Sequence, residues 1–168
     1  MSELASRFSG IFRDEHRAVR DALLELIEAI EGRRVERARA LLGRIAELTG
    51  PHFRYEEEAM YPGLVRIFGR PYVQKLYADH DGAIASAGRL VELVGRDGWS
   101  DELVQEGVGL VRGILPHVSD CDGLSIMVER LPDDSIRAIL DARDRCNEDA
   151  VDLIRWARDV RRAPNLPS

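Results

Sequence analysis

Pro51-His52-Phe53-Arg54-Tyr55-Glu56-Glu57-Glu58 places a histidine and a carboxylate four residues apart in a segment that reads as helix. Residues i and i+4 share a helical face, so His52 and Glu56 point the same way. A nitrogen donor and an oxygen donor converging from one helix make half of a metal site. The plain alternative is a surface helix with one histidine beside an acidic run. Taken alone, the stretch fits that alternative better, so the surrounding chain has to decide.

Outward from the stretch, apolar residues recur at helical spacing almost throughout, and no segment alternates like a strand. The helix holding the stretch starts near Arg34 and carries Leu41, Ile45, Leu48, His52, Glu56 and Met60 on one side. Tyr61-Pro62-Gly63 is expected to loosen its end. The helix before it runs Phe8, Phe12, His16, Val19, Leu23, Leu26, Ile30, with Gly32 as its stop. After the turn at Gly69-Arg70-Pro71, a third helix faces inward with Val73, Leu76, His80, Ile84, Ala87, Leu90 and Val94. Ser100 is a suitable N-cap for a fourth, carrying Leu103, Leu110, Ile114, His117 and Cys121. Leu131-Pro132-Asp133 breaks the chain, and a fifth amphipathic helix is expected from about Ile136 to Arg161. Helices of this length joined by short turns predict an all-α, antiparallel up-down-up-down four-helix bundle with an additional C-terminal helix. The expected domain covers 1–162, with a disordered tail over 163–168.

Composition narrows the function. The chain has 168 residues, 45% apolar and 32% charged, which suits one soluble domain with a real core. A net charge of -6 with interspersed signs argues against nucleic acid, and no apolar run is long enough to span a membrane. The N-terminus lacks the regions of a signal peptide, so a cytoplasmic location is expected. Cys121 and Cys146 are too few for a disulfide scaffold. There is no phosphate loop, nucleophile triad or CxxC.

Four histidines fall on four different helices. The first pair, His16 and His52, is 36 residues apart, and the second, His80 and His117, is 37 apart. Pro51 precedes His52 and Pro116 precedes His117, so the two halves look like a doubled hairpin. Counting at about 1.5 Å per residue puts His16 and His52 within about 5 Å of one level. Any single histidine is most simply a hydrogen-bonded core residue. Four in one layer would bury many polar nitrogens, which is costly unless something binds them. A metal does so, with Glu56 and a carboxylate near His117 balancing charge. The two prolines each remove a helical hydrogen bond, and the resulting kinks would widen the bundle where a metal fits.

The ordered set resembles the hemerythrin-like, or HHE cation-binding, family. Its pattern is a histidine on the first helix and His-x3-Glu on the second. One or two histidines follow on the third, and a histidine then a carboxylate on the fourth. The chain reads His16, His52-x3-Glu56, His80, and His117 with Asp122 five residues on. His52-Phe53, the Glu56-Glu57-Glu58 run and Tyr61-Pro62 also fit, over about residues 8 to 130. The resemblance implies a four-helix bundle with two non-haem irons per chain, with or without an oxo bridge. His16 and His52 would bind one iron, His80 and His117 the other, and Glu56 and Asp122 would bridge.

Two departures stand out. Where oxygen carriers have a second histidine on the third helix, this chain has Ile84, as in the four-His members. Where those members carry glutamate four residues after the fourth-helix histidine, it has Cys121. On an ideal helix Cys121 lies about 40° around from His117 and Asp122 about 140°, so Asp122 needs a kink or bulge to reach a metal. A small core residue is the leading reading of Cys121, with a metal ligand second. The expected function is to bind or sense oxygen, nitric oxide or peroxide, or to handle iron. The alternative is a di-iron enzyme, an oxygenase or peroxide-consuming protein, using the coordination position left open by Ile84. The remaining alternative is a metal-free bundle used for association. The C-terminal helix, with Trp156, is a candidate cover for the bundle end or a homodimer interface.

Overall fold

A computed structural model of the chain describes residues 2–167. Met1 and Ser168, the outer ends of the expected domain and tail, lie outside the described residues. The Ser2 side chain accepts a hydrogen bond from the Ala5 N–H and opens α1 (Glu3–Glu31), which stops at Gly32. Helix α2 (Val35–Tyr55) passes through a π-helical turn (Glu56–Met60) into α3 (Tyr61–Phe68). The expected loosening at Tyr61-Pro62-Gly63 is thus a continuing helix. Tyr61 and Pro62 sit at the start of α3, directly after the π turn, and the Glu57 carbonyl one turn earlier accepts from the Tyr77 hydroxyl. Gly69, with φ of 79°, makes the turn into α4 (Arg70–Val94). Ser100 caps α5 (Asp101–Asp122), accepting from the Leu103 N–H.

The four long helices close a ring in which α1 packs on α2 and α5, and α4 packs on the same two. Two large apolar clusters fill this bundle, one at each end. The first gathers Phe8, Phe12, Tyr55, Met60, Tyr61 and Leu76, and the second Val19, Leu23, Leu26, Ile30, Leu41 and Leu90. The histidines occupy the seam between them: Phe12 belongs to one cluster, Val19 to the other, and His16 lies between. No helix is long and apolar enough to cross a membrane among the described residues.

The C-terminal region differs from the single expected helix. A short α6 (Ser125–Val128) precedes α7 (Asp133–Asp149), which ends at Ala150 in the left-handed conformation, φ 48°. Asp152 then accepts from the Arg155 N–H and starts a second piece, α8 (Leu153–Arg155) running into a π turn (Trp156–Val160). Two separate burials account for the break. Helix α7 puts Ile136, Ile139, Leu140 and Cys146 into the first cluster, whereas Leu153 and Trp156 pack with Phe53, Ala83 and Ala87. The crossing lies over Gly50 of α2, where a Cβ would come within 2.2 Å of the Val151 carbonyl oxygen. Leu166 packs against the first cluster, and Arg70 donates to the Leu166 and Pro167 carbonyls.

Candidate metal centre

Glu56 is fully buried, and its two oxygens face opposite ways. Oε1 lies 3.4 Å from His52 Nε2 and accepts from the Cys121 thiol at 2.8 Å. Oε2 lies 3.1 Å from His80 Nε2. Around this carboxylate are two groups whose donor atoms lie within 4.8 Å of one another: His16, Glu56, Cys121, and Glu56, His80, His117. The structure thus brings together five of the six residues expected from the sequence: His16, His52, Glu56, His80 and His117. Asp122 joins neither group. It lines a cleft with Arg13, His16, Arg17 and Arg20, and its Oδ1 is buried without a hydrogen-bond partner. Ile84 packs toward Phe53 and Trp156.

The π turn starts at Glu56 and adds a residue to the helical repeat, so consecutive carboxylates, Glu56 and Glu57, both end up buried. Each has a different task. Glu57 accepts from His80 Nδ1–H at 2.8 Å, is gripped through both oxygens by Arg161, and its backbone carbonyl accepts from the Tyr77 hydroxyl. Glu15 mirrors it on the other side: it accepts from His52 Nδ1–H at 2.8 Å, from Tyr55 OH and from Arg143 Nε. His16 Nδ1–H donates to the Phe12 carbonyl at 2.8 Å. Three histidines therefore use Nδ1 for orientation, which leaves Nε2 toward the centre. Phe53 stacks flat on His80, ring centroids 3.8 Å apart, and meets His117 edge-on.

Burial pushes the Glu15 carboxyl up, but His52, Tyr55 and Arg143 together outweigh it and hold the pKa at about 2. Burial also disfavours charge on His52, yet Glu56 and Glu15 raise it to about 10. His117 goes the other way. Burial, helped by neighbouring His80, lowers it to about 4, so its imidazole is neutral near pH 7 and one ring nitrogen offers a lone pair. Glu56 is held well below the usual carboxylate range, despite burial, by His52 and His80.

Sequence reasoning missed the roles of Glu15, Glu57, Arg143 and Arg161. The Tyr61 hydroxyl lies 3.0 Å from His80 Nε2 and 3.8 Å from Cys121 Sγ. The available signals were weak: Glu15 directly precedes His16, and Glu57 directly follows Glu56.

A buried carboxylate divided between two nitrogen-rich groups, inside a four-helix bundle, defines a metal-binding helical protein. The donor set fits a cation: His16 Nε2 has no partner among the described residues, and the Asp122 oxygen is orphaned beside it. The chain matches the model of the hemerythrin HHE cation-binding domain over residues 7–123, and it belongs to that family. Comparison with curated proteins and with solved structures gave no match.

Proposed function

We propose that the protein is a non-haem di-iron protein that binds or senses oxygen, nitric oxide or peroxide, or handles iron. The observation that carries this reading is the division of Glu56, whose Oε1 serves the His16–His52 side and Oε2 the His80–His117 side. His16, His52 and Glu56 would hold one iron, and His80, His117 and Glu56 the other. The resemblance adds Asp122 as a second bridge. Iron held there would supply an open coordination position and one-electron chemistry for a small ligand. The chain's own part is to orient imidazoles through Glu15 and Glu57 and to exclude water with Phe12, Phe53 and Val118, which line the centre.

One feature favours the enzyme alternative. A groove of about 660 Å³ between α4 and α5 reaches His117 past Ala83, Gly109 and Gly113, which is more room than a diatomic ligand needs. The test is to load the protein with ferrous iron without air and record its visible spectrum as oxygen, nitric oxide or peroxide is added. A change with at least one of them supports the reading. An iron-loaded protein whose spectrum responds to none overturns the binding and sensing roles, and a protein that takes up no iron overturns the whole reading.

A further inference from the structure

We propose that Cys121 is a metal ligand, so that one half of the centre is a His16–His52–Glu56–Cys121 thiolate site and the other has only nitrogen and oxygen donors. This rests on the reading that a metal occupies the centre, and it goes beyond that reading by giving the two halves different chemistry.

Cys121 is 1% exposed and belongs to the first apolar cluster, yet two polar side chains reach its sulfur. Its Sγ sits 2.8 Å from Glu56 Oε1 and 3.8 Å from the Tyr61 hydroxyl, and it shares a 4.8 Å donor group with His16 and Glu56. A cysteine that only fills space would need no carboxylate beside it. A second observation points to the same spot. His16 is 6% exposed and makes its hydrogen bond through Nδ1, to the Phe12 carbonyl, which leaves Nε2 available as a ligand atom in the group it forms with Glu56 and Cys121. The geometry of α5 agrees. Cys121 is four residues after His117 and on its inward stripe, whereas Asp122, one residue further, turns toward the cleft lined by Arg13, Arg17 and Arg20.

Binding breaks the S–H bond and forms a metal–sulfur bond. The ion takes the place of the proton between Sγ and Glu56, the proton leaves to solvent, and no electrons are exchanged. A thiolate is a soft donor, so this half favours zinc or cobalt more strongly than the His80–His117 half does. Cys121 would then load first with those ions.

The probe is the metal alone. The full-length protein is loaded with one equivalent of zinc and studied by X-ray absorption. The expected result is a sulfur neighbour at about 2.3 Å, the usual zinc–thiolate distance. It should persist in Asp122→Asn and vanish in Cys121→Ser, where a lighter oxygen neighbour replaces it. Zinc bound with no sulfur neighbour in the unaltered protein overturns the Cys121 assignment and leaves the metal centre standing. Failure of the unaltered protein to bind zinc, cobalt or iron overturns both. The decisive spectrum is that of the unaltered protein, so the test survives a variant that does not fold.

Discussion

Glu57 shows how the centre is held at the scale of single residues. Its carboxylate is 5% exposed and is satisfied by Arg161 and by His80 Nδ1–H. Removing the arginine leaves a buried carboxylate with one partner. Breaking a buried pair in this way costs roughly 3–5 kcal/mol, and the lower end applies because Arg161 is 17% exposed. Arg161→Gln should therefore lower the thermal midpoint and speed metal loss to a chelator, and Arg161→Lys should restore part of both. An Arg161→Gln protein with unchanged melting and chelator kinetics would contradict the clamp. Cys146 offers a second check. Burial pushes its thiol up to about 11, so it is protonated at neutral pH. Labelling by a thiol reagent in the folded protein should be slow at pH 7 and rise about tenfold per pH unit toward that value, since only the thiolate reacts. Fast labelling of Cys146 at pH 7, read by mass spectrometry, would contradict its burial.

At this scale, the sequence was informative where the partners are near in the chain. His52 and Glu56 are one turn apart, and the histidine layer follows from counting along helices. The outer partners were not legible, because their arginines arrive from far away. Arg143 meets Glu15 across 128 residues and Arg161 meets Glu57 across 104, and no spacing rule covers such separations. Asp122 and Cys121 are adjacent, so their roles depended on the exact phase of α5.

At the scale of elements, two irregular turns matter most. The π turn at Glu56–Met60 has no composition signal, yet it turns two successive glutamates inward. The break at Ala150 was also hidden, since Trp156 and Val160 continue the helical spacing of the residues before it and the left-handed residue is an alanine. Gly50 is what lets the broken segment lie on α2, and Arg54 ties α2 to the end of α7 through Asp149. Gly50→Ala should cost about 1–3 kcal/mol, because the added carbon meets backbone that must shift. Gly43→Ala is the matching control. It lies in the same helix with nothing within 4 Å of the added carbon, so it should stabilise by about 0.5–1 kcal/mol. Thermal melting of the two variants checks both signs, and equal effects would remove the special role given to Gly50.

At the scale of the whole molecule, the bundle has apolar clusters at both ends and a polar layer in its middle. The C-terminal region beyond residue 123, outside the matched family segment, supplies both arginines that fix the outer carboxylates. The bundle itself was legible from periodicity and turns. The C-terminal region's attachment to the metal layer was not, because it depends on tertiary contacts. A buried layer of this kind is stabilised by the ion it holds, so metal binding should raise the thermal midpoint and chelation should lower it.

The central claim is that Glu56 joins two halves of one metal centre. Its most direct test is the metal content of the unaltered protein and of Glu56→Ala, both reconstituted with iron and both shown to be folded by circular dichroism. A pair of ions per chain is expected in the first and less than one in the second. An unaltered protein that takes up no metal, or a Glu56→Ala protein that keeps both ions, would contradict it.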